Sequence, residues 1–221
     1  MKIQVVESVM KANDAVAAAN RRRMDAAGVL AVNIMSAPGS GKTMLLEKTI
    51  PALAPSLRSA VLVGDLQTTR DADRLGHLDV QIVQINTGQG CHLSAAQVAE
   101  GLARLELGMV DLLFIENVGN MVCPAAVDLG EHARIAMLSL PEGDDKVAKY
   151  PTLFQPADVI LLNKIDLAGV LDFDTGRVRQ DLSRVNTRAP LLELSTRTGQ
   201  GLDAFVDWLR QLHSQRPGHG G

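Results

Sequence analysis

The chain has little that would hold it to nucleic acid or to a bilayer. No long basic stretch stands ready to neutralise phosphates, and the formal net charge is −3. The sole basic run, Arg21-Arg22-Arg23, reads as a solvated helix face. No apolar segment approaches the roughly 18 uncharged residues of a membrane span. Residues 1–27 are polar and amphipathic, without the apolar core and cleavage site of a signal peptide. A cytoplasmic location is therefore expected, with no membrane and no nucleic-acid partner. Cysteine is equally scarce, limited to Cys91 and Cys123. One disulfide would be an unusual support for a domain this large in a reducing compartment, so the chemistry of the pair has to be sought elsewhere. Internal repeats and low-complexity stretches are also missing.

What is present is the balance of an ordinary globular protein, with 46% hydrophobic and 21% charged residues. The length of 221 residues suits one α/β domain with its sheet buried on both sides. Residues 4–27 read as an amphipathic helix, with Val5, Val9, Ala12 and Val16 along one side. Short apolar runs then recur at 29–35, 60–63, 80–85, 112–115, 135–140, 159–162 and 191–194. Runs that are apolar on both faces are what a parallel sheet between two helical layers requires. Helical segments alternate with them at 43–54, 93–107, 172–187 and 202–213. The pattern predicts an α/β fold: a doubly wound, mostly parallel sheet of about seven strands with helices on both faces, as in P-loop NTPases. It divides the chain into an N-terminal helix (1–27) packed on the main domain, a nucleotide-binding domain (28–215) and a frayed tail (216–221).

The strongest motif is Ala37-Pro38-Gly39-Ser40-Gly41-Lys42-Thr43, directly after the first apolar run and opening a helix. Gly39, Ser40 and Gly41 let the backbone curl so that successive N–H groups converge on phosphate oxygens at a helix N-terminus. Lys42 supplies a point charge for the β and γ phosphates, and the Thr43 hydroxyl is a Mg²⁺ ligand. The usual first glycine of the motif is Ser36 here. The bland reading, a Gly-rich helix cap with a chance Lys-Thr, does not account for the strand–loop–helix context. Downstream, Asn163-Lys164-Ile165-Asp166 ends the sixth run. A carboxylate at Asp166 accepts from the guanine N1–H and exocyclic amine together, a pair that adenine does not offer. Asn163 and Lys164 brace that loop and cover the base, and Ser195-Thr196-Arg197 completes the base pocket. Between the two motifs, Asp65 ends the second run and precedes Gln67-Thr68-Thr69-Arg70-Asp71, while Glu116 ends the fourth and opens Asn117-Val118-Gly119. Asp65 and Glu116 are candidates for holding Mg²⁺ or orienting the attacking water. Each could instead be an acidic strand end capping a neighbouring helix.

Cys91-His92 precedes a predicted helix, whose N-terminus would favour a thiolate. Cys123 lies four residues past Gly119. Both segments follow strands and can emerge on one carboxyl edge of the sheet. Two thiolates and one imidazole leave tetrahedral Zn²⁺ or square-planar Ni²⁺ short of ligands, and a symmetric dimer would supply the remainder. From spacing alone, the two cysteines as small buried hydrophobes remain an equal reading.

Taken together, these stretches resemble the HypB-type GTPases, SIMIBI-class P-loop proteins that help insert nickel into nickel–iron hydrogenases. The likeness is carried by Asn86-Thr87-Gly88 through Cys91-His92-Leu93, Glu116-Asn117-Val118-Gly119-Asn120 with Cys123-Pro124, and Asp128-Leu129-Gly130-Glu131. It continues in Glu142-Gly143-Asp144-Asp145-Lys146, Lys149-Tyr150-Pro151 and Asn163-Lys164-Ile165-Asp166-Leu167, and spans residues 29–209. The resemblance implies GTP and GDP as ligands, and nickel or zinc on Cys91, His92 and Cys123 at a GTP-dependent homodimer interface. It also implies a HypA-type nickel-binding partner and the hydrogenase large subunit as client. Slow hydrolysis is expected because no obvious arginine finger or catalytic glutamine stands in the switch segments, although Arg70 could serve. The family's N-terminal cysteine-rich and histidine-rich stretches do not occur in these residues, so metal binding is assigned to the shared site or to a partner. Lys146 and Lys149 follow the family pattern, either reaching a phosphate across the dimer or standing as surface charges. Rival identities are a urease accessory GTPase, which carries Cys-Pro-His, a GTPase chaperone of a cobalamin-dependent mutase, and a non-enzymatic switch with structural cysteines.

Overall fold

The computed structural model describes residues 9–65, 74–88 and 90–216. The seven apolar runs form seven strands: β1 Leu30–Ser36, β2 Ser59–Asp65, β3 Gln81–Asn86, β4 Leu112–Glu116, β5 Ala133–Ser139, β6 Val159–Asn163 and β7 Leu191–Glu193. They make one sheet in the order β3-β2-β4-β1-β5-β6-β7, and every pairing is parallel. The order reverses around β1, so the loops after β1, β2 and β4 converge at one crevice beyond the strand ends. The register sets Glu116 of β4 beside Ile34, two residues before the end of β1.

The helices are α1 Val9–Ala26, α2 Lys42–Leu53, α3 Ala95–Leu102, α4 Lys146–Lys149, α5 Pro151–Phe154, α6 Thr175–Val185 and α7 Leu202–Ser214. On one face of the sheet, Leu30, Val32 and Ile34 of β1 pack with Leu45, Leu46 and Ile50 of α2 and Phe205 and Leu209 of α7. On the other face, Ala31 belongs to a cluster with Met24, Val98 and Leu102, and Met35 to a separate one with Phe154, Ile160 and Val178. Between Ala31 and Met35 on that face stands Asn33, fully buried.

Two expectations about helices change. The predicted helix over 93–107 runs only from Ala95 to Leu102, because the Arg104 N–H turns back onto the Gly101 carbonyl and a 3₁₀ turn follows at Leu107–Met109. The one-turn helices α4 and α5 are too short to show a period in sequence. The predicted N-terminal helix covers 4–27; residues 4–8 of it lie outside the described residues. The basic run on α1 is not merely solvated: Arg21 pairs with Asp128 at 3.0 Å, and Arg23 donates to the Leu102 carbonyl at 3.1 Å. Among the described residues, no helix is long and apolar enough to cross a membrane.

Candidate nucleotide and metal site

The loop after β1 is stitched to the loop after β6. Gly41 begins α2 with φ 105°, in the left-handed region, and a Cβ there would meet Asn163 Nδ2 at 2.7 Å. Asn163 donates from Nδ2 to the Ser40 carbonyl at 2.8 Å and accepts the Thr196 N–H on Oδ1 at 3.0 Å. Lys164, the one non-glycine residue with positive φ among those described, donates to the Gly39 carbonyl at 2.6 Å. Asp166 accepts the Ser195 hydroxyl on Oδ1 and pairs with Arg197 at 3.0 Å on Oδ2. The Ser195 hydroxyl first, and Arg197 after it, hold the Asp166 carboxyl below the usual carboxylate range. An ionised carboxylate with a fixed plane is suited to an edge that offers two N–H donors.

Ser36, where the motif ordinarily has glycine, is the last residue of β1 and fully buried. It is not among the positive-φ residues, so this position does not need glycine. Its hydroxyl bonds Ser40 Oγ and accepts from Lys42 Nζ at 3.1 Å. Thr43 donates its hydroxyl to Glu116 Oε1 at 2.8 Å, and both side chains are buried. Lys42, Thr43, Asp65 and Glu116 line one cavity of about 400 Å³ with Gly39, Gly41 and Lys164. Thr43, Glu116 and Asp65 thus present a hydroxyl and two carboxylates to one space, the hard oxygen donors suited to Mg²⁺. Arg74, which the sequence did not single out, also lines the cavity and is held by Glu47 at 2.8 Å. Residues 67–71, with Arg70, lie outside the described residues.

The loop after β4 packs tightly on the phosphate loop: a Cβ at Gly119 would fall 2.9 Å from the Pro38 Cα. Asn120 Oδ1 then accepts the N–H groups of Val122 and Cys123 at 2.7 and 3.2 Å, turning Cys123 toward the loop after β3. In that second loop, Thr87 donates its hydroxyl to the Gly90 carbonyl at 2.8 Å and its N–H to the Asp65 carbonyl at 2.9 Å. The ligand atoms of Cys91, His92 and Cys123 all lie within 4.8 Å of one another, and all three residues are half-buried. Two sulfurs each about 2.3 Å from one ion sit about 3.8 Å apart at a tetrahedral angle and about 4.6 Å apart when trans, so small movements would close this set on a metal. The sequence expectation about the α3 N-terminus is revised. A capping box of Ser94 and Gln97 occupies it, and Cys91 sits in the bend before. The neighbouring Cys91 thiol pushes the Cys123 thiol up.

Beside both sites runs a groove of about 390 Å³ lined by Pro38, Gly119, Val122, Glu142, Lys146 and Tyr150. Val122 is 54% exposed there. Burial pushes the Glu142 carboxyl up, while it accepts from Ser139 N and Oγ at 2.9 and 2.6 Å. Lys146 and Lys149 are both drawn to Asp145.

The sequence model of the family described as CobW/HypB/UreG, nucleotide-binding domain, matches residues 30–193. The hydrogenase maturation factor HypB of Rhizobium leguminosarum bv. viciae is 48% identical over 214 residues, covering 97% of this chain and 72% of that protein. Among solved structures, HypB from Helicobacter pylori in complex with nickel superposes with a TM-score of 0.89 at 38% identity, covering 95% of this chain and 100% of that one. HypB from Archaeoglobus fulgidus gives 0.86 at 38% identity, covering 92% and 99%.

Proposed function

The chain belongs to the HypB-type branch of the CobW/HypB/UreG family of nucleotide-binding proteins, and from that premise we propose that it is a GTP-hydrolysing metallochaperone for nickel. The observation that carries this reading is the convergence of the cavity lined by Lys42, Thr43 and Glu116 and a Cys91/His92/Cys123 cluster through one loop, 116–123. Lys42 and the backbone of residues 39–42 bind the phosphates, Asp166 selects guanine, and Asn163 and Lys164 brace the base loop on the phosphate loop. Thr43, Glu116 and Asp65 would hold Mg²⁺, which neutralises charge developing between the β and γ phosphates. Among the described cavity residues the arginine, Arg74, is tied to Glu47 and no glutamine stands beside it, in keeping with slow turnover.

In this reading the metal is cargo. Cys91, His92 and Cys123 take Ni²⁺, with Zn²⁺ as competitor, and a second copy of the chain completes the coordination. Val122, exposed in the groove beside both sites, supports a GTP-dependent homodimer on this face. A HypA-type protein and a hydrogenase large subunit are the expected partners, in the cytoplasm. The names of the relatives support that role, and the chain's own site gives it a chemical basis.

The test pairs GTP turnover with nickel titration of wild type and Cys123→Ala. Slow Mg²⁺-dependent release of phosphate, with nickel affinity lowered at least tenfold in the variant, is the expected outcome. Nickel binding indifferent to Cys123 would leave a GTPase with two ordinary cysteines.

A further inference from the structure

One chain of hydrogen-bonded polar side chains joins both metal-binding loops to the residue beside the γ-phosphate sensor, and the nucleotide function described above does not use it. Asn117 follows Glu116 directly, yet its carboxamide is not among the groups lining the nucleotide cavity, which draws on Glu116, Val118 and Gly119. Asn117 is 1% exposed. Its Oδ1 accepts the Leu93 N–H at 3.1 Å and the Val118 N–H at 3.0 Å. Leu93 is the residue after His92, so this bond fixes where the Cys91-His92 loop enters the core.

The chain continues on the other side. Asn117 Nδ2 donates to Asn33 Oδ1 at 3.2 Å, and Asn33 Nδ2 donates to Glu131 Oε1 at 3.4 Å. Glu131 takes Arg134 Nε at 2.7 Å, and the remaining guanidinium nitrogens reach the carbonyls of Ala125 and Val127 at 3.3 and 3.4 Å. Those carbonyls belong to the turn that follows Cys123. The two ends of this chain therefore hold the two halves of the metal cluster, and its middle passes through the central strand, β1, whose end opens the phosphate loop.

Placing Asn33 within β1 and Asn117 just past the end of β4, both buried, interrupts an apolar layer, and apolar side chains of similar volume would pack there without the need for partners. We infer that Asn117 is a positioning residue that transmits nucleotide state to the metal loop, through its hydrogen bond to the Leu93 N–H and its continuation via Asn33 and Glu131. When Glu116 and Gly119 shift with the nucleotide, the Asn117 carboxamide shifts with them and carries Leu93, hence Cys91 and His92, relative to Cys123. The inference rests on the reading of the protein as a nucleotide-switched metal carrier.

The experiment measures nickel affinity, by competition with a chromogenic chelator, for full-length wild type and Asn117→Ala with GDP and with a non-hydrolysable GTP analogue. Nucleotide affinity and the nickel–thiolate absorption band are followed in parallel. Expected is a wild-type ratio of affinities between the two nucleotide states that falls to within twofold of unity in Asn117→Ala, while the band persists and nucleotide affinity stays within about threefold of wild type. A merely structural asparagine would weaken nickel equally in both states and preserve the ratio, and that result overturns the inference alone. Equal wild-type affinities in the two states would overturn the carrier reading and this inference together. Should Asn117→Ala fail to fold, Asn33→Ser breaks the chain one bond further on and carries the same expectation and the same refutation.

Discussion

Asp166, proposed as the guanine selector, has a fixed environment. Its carboxylate plane is set by Ser195 on one oxygen and Arg197 on the other. Because the folded value is depressed, any stability those contacts lend is present above about pH 4, the ordinary carboxylate value, and is lost as pH falls through the lower folded value. Across neutral pH the group is therefore ionised, as the proposed contact with guanine requires. Asp166→Asn replaces an acceptor with a donor facing the guanine amine, and GDP affinity should drop about 10- to 100-fold, the worth of hydrogen bonds to a charged group. Calorimetric titration checks it, and an unchanged dissociation constant would remove Asp166 from the base pocket. The anchoring of the 163–166 loop on the loop after β1 matches a motif whose four adjacent residues carry the signal. Asn33 was not legible in the sequence. It stood within an apolar run and read as part of a strand, and only its burial between two apolar clusters marks it as a polar junction.

At the scale of elements, the seven strands could be read directly, since strands buried on both faces leave uninterrupted apolar runs. Which strands become neighbours could not. Cys91 follows β3 and Cys123 follows β4, and the two loops meet only because β2 alone separates those strands in the sheet. Spacing along the chain carries no trace of that order. The loop 128–131 is similar: it binds α1 through Arg21 and accepts Asn20 Nδ2 at the Leu129 carbonyl at 3.0 Å, while Glu131 turns inward to Arg134 and to the Leu129 N–H. Glu131 is 4% exposed. Removing it leaves the Arg134 guanidinium without its carboxylate, so Glu131→Ala should cost about 3–5 kcal/mol in chemical denaturation. A loss below about 1 kcal/mol would show that the pair adds little to the fold.

For the molecule as a whole, the sheet order brings the loop after β1, the base-loop candidates after β6 and the Cys91/His92/Cys123 cluster to one edge, and in the proposed reading the loop from Glu116 to Cys123 serves both nucleotide and metal. If that loop contacts both ligands as proposed, it cannot move for one without changing its energy with the other. By linkage, nucleotide must then alter metal affinity as much as metal alters nucleotide affinity. The most direct test of this account is the nickel dissociation constant of the wild-type protein with GDP and with a non-hydrolysable GTP analogue, under otherwise identical conditions. The account predicts values that differ by about 5- to 150-fold, the usual span of such coupling. Identical values in the two states would contradict it.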